Sequence, residues 1–237
     1  SLGSRAAGAT NYTWGAPSLL QEVTSNILLN QKMLPWVEGT GHADVPGGQW
    51  AKNGTTSENT QSLLTDPFGG KSVIWRAINS GSASDQDGGF NGPRVEISPT
   101  QNYRFSLFIN QKDSTNGTVF FGLNGYNASN TNTAVTLNNG SGNTSTNPYF
   151  FSGDLPALDK WYLFIGHVVP HNDTGNSIHP DSGLWDVATG KKVDYGSFTD
   201  YKFQSTHAKV RMRAYQYYNT SSASDEVHFF APRIDIA

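Results

Sequence analysis

The chain has 237 residues, a formal net charge of −3 and only 15% charged residues, against about 25% in ordinary soluble domains. That balance supplies no basic field to hold nucleic acid or anionic lipid, and no run of roughly 18 apolar residues is present to insert into a membrane. Cysteine is absent, which removes disulfide frameworks, thiolate zinc sites and cysteine nucleophiles together.

The missing polarity is neutral: 24 Ser, 21 Thr, 21 Asn and 25 Gly make up 91 of the 237 residues. Six Trp, ten Tyr and thirteen Phe are enough aromatic surface to build a large core, so disorder from self-repulsion is not expected. A surface of this kind, poor in lysine, accords with work outside the cytosol.

Residues 1–35 are expected to be a leader or attachment segment, with a weakly helical stretch over 18–33 where Leu19, Leu20, Val23, Ile27 and Leu28 fall at helical spacing. Residues 36–237 are expected to form one all-β domain, an antiparallel β-sandwich of jelly-roll type. Runs of period-2 alternation predict strands at 71–78, 94–97, 103–109, 118–123, 160–169, 209–218 and 226–236. Tyr103, Phe105, Leu107 and Ile109 define one core face, and Val210, Met212 and Ala214 another. Residues 79–92 read as a polar loop, and 126–147 as a long surface loop with a weak strand at 134–137. Each run ends in Gly, Asn, Asp or Pro clusters, at spacings that suit a sandwich.

The strand over 209–218 carries the most chemistry. Alternation places Arg211, Arg213, Tyr215 and Tyr217 on the face opposite its core set. Guanidiniums followed by phenols suit sugars: flat rings stack on pyranose faces, while the polar tips bond to hydroxyls or carboxylates. Arg76 and Arg104 also fall mid-strand, and the four arginines are expected to line one sheet, with Trp185 and Tyr149 as loop platforms. The competing reading is an ion-pair network with carboxylates of the same protein.

Asp85-X-Asp87-Gly resembles the start of a calcium loop, so structural Ca2+ at Asp85 and Asp87 is one expectation, and an Asx-turn is the other. No nucleophile elbow, phosphate loop or compact acid cluster marks a catalyst, and no catalytic residue is assigned.

Taken as an ordered set, Glu58-Asn-Thr, Asp66-Pro-Phe-Gly, Val73-Ile-Trp, Ser84-Asp-Gln-Asp-Gly-Gly-Phe, Tyr103-Arg-Phe-Ser, Asn147-Pro-Tyr-Phe, Lys160-Trp-Tyr-Leu-Phe-Ile-Gly, Arg213-Ala-Tyr-Gln-Tyr-Tyr and Pro232-Arg-Ile-Asp resemble the jelly-roll modules of phage tail fibres and large extracellular adhesins. They are similar in style to calcium-stabilised carbohydrate-binding modules. That resemblance implies a concanavalin-like sandwich, lectin-like in action, that recognises a glycan or polysaccharide without turning it over. It implies an extracellular or virion-surface location and, on a fibre tip, a homotrimer. A polysaccharide lyase on the same fold and a purely structural fibre head are the alternatives.

Overall fold

A computed structural model describes residues 50–79, 85–139, 141–218 and 225–237, with the backbone alone at 85–87 and 218. The expected leader at 1–35 and the helical stretch over 18–33 lie outside the described residues. Among the described residues the only helical turn is a 3-10 turn at Thr56–Glu58. No helix there is long and apolar enough to cross a membrane.

The strands form two sheets. The front sheet holds β1 (Ala51–Lys52), β4 (Asp85–Asn91), β5 (Val95–Glu96), β7 (Gly117–Asn127), β8 (Asn132–Thr133), β11 (Tyr149–Gly153) and β16 (His207–Tyr218). Its order is β1-β4-β16-β7-β11, with β5 also on β16 and β8 on β7. The back sheet holds β2 (Asn59–Thr65), β3 (Lys71–Ile78), β6 (Tyr103–Lys112), β9 (Val135–Leu137), β10 (Thr144–Ser145), β12 (Tyr162–Val169), β13 (Gly183–Asp186), β14 (Lys191–Val193), β15 (Tyr201–Lys202) and β17 (Glu226–Ile236). It runs β10-β9-β15-β12-β6-β17-β3-β2, with β13 on β12 and β14 on β13. Neighbours pair antiparallel except β12 and β15.

The two sheets bury one core between them, as the alternation requires. Tyr103, Phe105, Leu107 and Ile109 of β6 meet Val119, Phe121 and Leu123 of β7 and Val210, Met212 and Ala214 of β16 in a single cluster. The β-sandwich class therefore stands on this chain's own packing.

Two stretches depart from the sequence reading. The supposed loop over 79–92 contains β4, which pairs with β16 on one side and β1 on the other. Its Asp- and Gly-rich sequence has low strand propensity, and pairing on both edges overrides it. Gly89 makes this possible: its φ is +106°, and a Cβ there would lie 2.3 Å from the Ala214 carbonyl oxygen. The Asn- and Thr-rich stretch over 126–147 carries β9 where the weak strand at 134–137 is expected, and the short strands β8 and β10 besides.

Where the sheets approach each other beside β4, Asn59 of β2 fastens them. Its Oδ1 accepts from Trp75 Nε1 at 3.0 Å and from the Gly89 N–H at 2.8 Å. Its Nδ2 donates to the carbonyls of Asn53 and Thr55. All four bonding positions of the fully buried amide are filled in this way.

A second apolar cluster sits on the outer side of the back sheet, where Phe108, Leu163, Ile165, Trp185 and Val187 pack together with Phe68, Trp161 and Phe230.

Candidate functional site

The site is built on β16, the middle strand of the front sheet. Because Val210, Met212 and Ala214 point into the core, Arg211, Arg213, Tyr215 and Tyr217 point outward. Register on the neighbouring β7 sets Asn124 opposite Arg211, Gly122 opposite Arg213 and Phe120 opposite Tyr215. Asn91 of β4 lies opposite Arg213 on the other side.

These cross-strand pairs make two connected zones. At one end is an aromatic ledge. Phe120 stacks on Tyr215 with ring centres 5.0 Å apart and an interplanar angle of 12°. Tyr149 meets Phe120 edge-on at 4.9 Å, and Tyr217 does so at 6.5 Å. The Tyr149 and Tyr215 hydroxyls share a hydrogen bond. Tyr217 is exposed, while Phe120 and Tyr149 are half-buried.

Tyr149 reaches this ledge because Gly122 has no side chain. A Cβ at Gly122 would lie 2.2 Å from the Pro148 carbonyl oxygen and 2.8 Å from Tyr149 Cδ1. The missing atom lets the start of β11 close down over β7.

The second zone is a row of guanidiniums. Arg213 is only 9% exposed. Its Nε donates to Asn91 Oδ1 at 3.1 Å, its Nη1 donates to Asn147 Oδ1, and its guanidinium lies 5.4 Å from the ring centres of both Tyr149 and Tyr215. Asn91 is itself held by Asn53, whose Oδ1 accepts from Asn91 Nδ2 at 2.6 Å. Arg211 donates from Nε to Asn124 Oδ1 at 3.0 Å. The Tyr126 ring lies between Arg94 at 4.2 Å and Arg211 at 5.7 Å. Burial, with the like charges of Arg213 and Arg94, pulls the Arg211 guanidinium below the ordinary arginine range, against an opposing pull from Tyr126. Burial also pushes the Tyr215 phenol well above the ordinary tyrosine range, so it stays protonated and can donate.

The arginines expected on one sheet are divided between two. Arg76 on β3 and Arg104 on β6 belong to the back sheet, and there the ion-pair reading holds. Arg76 binds Glu226, and Arg104 binds Asp235 at 3.1 Å, as does Arg233 at 2.8 Å. Although burial opposes it, hydrogen bonds from His228 and Arg76 hold the Glu226 carboxyl down at about 2. Among the described residues, Arg211 and Arg213 of the front sheet, and Arg94 just before β5, make no ion pair with a carboxylate; the pair at that end of the face joins Lys209 to Glu96.

Trp185 is likewise corrected. It is fully buried in the second cluster and its Nε1 donates to the Asp181 carbonyl, so it offers no platform to a ligand. It is expected on a loop, but β13 pairs with β12 and β14 on either side. Tyr149 does belong to the site, although on β11 rather than a loop. Asp85 and Asp87 open β4, whose backbone is strand from Asp85 onward. Among the described residues no group of three or more His, Asp or Glu is placed to hold a metal ion.

Residues that sequence reasoning did not assign to the site are Phe120, Asn91, Asn124, Tyr126, Asn147 and Arg94. Each enters through cross-strand register or through a loop folded over the sheet. The outward parity of Phe120 within the run over 118–123 was the one local signal.

One further cluster has the composition of a catalytic triad. Ser182 Oγ lies 2.8 Å from His167 Nδ1 and 2.7 Å from Asp200 Oδ1. Asp200 also accepts from the backbone N–H groups of His167 and His179. Ser182 is 1% exposed and Asp200 1%, so no substrate reaches the hydroxyl. The network ties the β13 and β15 approaches to β12.

Neither a protein-family model nor a curated protein matches the sequence. Among solved structures, a putative sugar-binding protein from Bacteroides thetaiotaomicron is 13% identical, covering 90% of this chain and 100% of its own, with a TM-score of 0.49. The carbohydrate-binding module TmCBM61, solved with β-1,4-galactotriose, is 10% identical, with 90% and 100% coverage and a TM-score of 0.43. The module pair CBM22-1–GH10 of a Clostridium thermocellum xylanase, solved with xylohexaose, is 9% identical over 79% of this chain, with a TM-score of 0.40. This chain spans about a quarter (26%) of the length of that two-module chain. The class defined by the chain's own packing is an antiparallel β-sandwich with an arginine- and tyrosine-lined outer face.

Proposed function

We propose that this protein recognises a glycan on the outer face of its front sheet and does not turn it over. The observation that carries the reading is the half-open ledge of Phe120, Tyr149 and Tyr217, backed by the buried Tyr215 and set directly against Arg213. Aromatic rings supply apolar area for the C–H faces of a pyranose, while phenols, amides and guanidiniums supply directed donors for its hydroxyls. The donors are held in place before any ligand arrives, since Asn91 and Asn147 fix Arg213 and β7 fixes Tyr215. Such fixing lowers the ordering cost of binding. A phenol kept protonated by burial suits hydrogen-bond donation better than proton abstraction, which favours recognition over the lyase alternative. A polysaccharide ligand accords with an extracellular or virion-surface location, where repeated copies of a weak site gain avidity.

A glycan array probed with the folded protein tests the reading. Tyr217→Ala and Phe120→Ala are each expected to weaken binding about 5- to 10-fold, the loss of roughly 1 kcal/mol of aromatic contact. Tyr195→Ala, which removes an equally exposed ring outside the site (39% against 36%), is expected to change nothing. Unchanged binding by both site variants would refute the placement.

A further inference from the structure

We infer that the ligand of this face is an acidic glycan, and that Arg213, with Arg211 and Arg94 beside it, forms the subsite for a sugar carboxylate or sulfate. The inference rests on the glycan reading above and adds the charge of the ligand.

Its basis is the unequal treatment of arginine on the two sheets. On the back sheet Arg76, Arg104 and Arg233 are each compensated by Glu226 or Asp235. On the front face Arg94, Arg211 and Arg213 meet amide oxygens and phenol rings, and among the described residues none of them meets a carboxylate. The contrast is sharpest at Arg213, which is the most buried of them at 9% exposure. Taking a guanidinium out of water without a counter-ion is costly, and neutral acceptors return part of that cost. A chain that pairs its arginines elsewhere gives these three no carboxylate on its outer face.

Geometry suits an anion as well. Arg211 and Arg213 project from alternate positions of one strand, about 7 Å apart along it. Their Nε atoms are occupied by Asn124 and Asn91, which sets the planes of the guanidiniums in advance. A planar, fixed fork is the group that binds carboxylate or sulfate oxygens bidentately. Gly122, opposite Arg213, leaves the sheet between Arg213 and Tyr149 without a side chain of its own. The chain as a whole carries −3, so this uncompensated positive patch is a local feature that focuses acidic ligands and disfavours nothing neutral by size.

Polyuronates and their carboxyl-reduced counterparts are the probes, since reduction of –COOH to –CH2OH keeps ring and linkage and removes the charge. Titration calorimetry compares polygalacturonate, polymannuronate and hyaluronan oligosaccharides with their reduced forms, beside sulfated and neutral glycans. At least one acidic member is expected to bind at least about 10-fold more tightly than its reduced form, the usual worth of a charge-assisted bond. Its affinity is expected to fall as NaCl rises from about 50 to 500 mM, while binding of any neutral member stays level. Arg213→Met is expected to erase the preference for the acidic member, and Arg213→Lys to restore part of it. If Arg213→Met fails to fold, Arg211→Gln and the salt series on the native protein decide the matter. Equal binding of acidic and reduced forms at the same face, insensitive to salt, overturns the inference and leaves the glycan reading standing. Binding to no glycan of any charge overturns both.

Discussion

Replacing Gly122 with alanine tests the construction of the site without needing a ligand. The added Cβ would stand 2.2 Å from the Pro148 carbonyl oxygen, where ordinary contact begins near 3.4 Å. The Pro148 carbonyl must therefore retreat by about 1.2 Å and Tyr149 by about 0.6 Å. Both neighbours are anchored: the Pro148 carbonyl accepts from the Leu123 N–H at 3.1 Å, and the Tyr149 carbonyl accepts from the Tyr201 hydroxyl at 2.7 Å. Overpacking of this kind costs about 1–3 kcal/mol, which for a domain of this size lowers Tm by roughly 2–12 °C. The displaced Tyr149 also loses its hydroxyl bond to Tyr215 and its place over Arg213. Gly69→Ala is the control, with φ +86° and nothing within 4 Å of the added atom, so that it bears only a backbone penalty of about 1–2 kcal/mol. Thermal melts followed by glycan titration are the assay. Gly122→Ala should lose both stability and affinity, Gly69→Ala stability alone. A Gly122→Ala protein with native Tm and native affinity would refute the idea that the missing side chain seats Tyr149.

Two other predictions concern stability. Asn59→Ala leaves the Gly89 N–H and the Trp75 indole N–H without their acceptor; at about 1–3 kcal/mol per buried unmet group the melting temperature should drop by roughly 5–20 °C, and a loss under about 3 °C would show that the clasp is dispensable. His167 is held neutral, with burial driving its pKa from 6.5 down to about 2. The folded state thus binds fewer protons than the unfolded chain below pH 6.5, and its stability is full above that pH and lost as pH falls. At pH 4.5 the loss is about 2–3 kcal/mol, to which His207, also lowered by burial, adds in the same direction. Asp200, raised by burial, acts in the opposite sense. Native protein should melt several degrees lower at pH 4.5 than at pH 7, and His167→Gln should flatten that difference; a pH-independent Tm would contradict it.

The parts of this fold that are legible in the sequence are those with local periodicity. Val210 to Ala214 alternates throughout and Tyr103 to Ile109 alternates except at Phe108, which packs in the second cluster, because one face of each strand must be apolar and the other need not be. Parity also put Arg211, Arg213, Tyr215 and Tyr217 on one outward face. It could not say which sheet a strand joins, and so it grouped Arg76 and Arg104 with them, although β3 and β6 pair with β17 at the back. β4 was hidden because Gly88 and Gly89 signal a turn locally, whereas partners on both edges fix a strand. Phe120, Asn91 and Asn124 were out of reach for a related reason: their roles come from register with β16, which joins segments far apart in the chain. Trp185 misled in the opposite way, since turn-forming neighbours concealed a second apolar cluster.

The central claim is that ligand lies along β16 on the front sheet. Backbone NMR chemical-shift mapping with the tightest-binding oligosaccharide of the glycan panel tests it most directly. Shifts are expected to concentrate at Arg211, Arg213, Tyr215 and Tyr217, at Phe120 and Asn124 of β7, and at Tyr149, with Arg76, Arg104 and Trp185 unmoved. Saturable shifts centred on the back sheet, with β16 silent, would contradict the account.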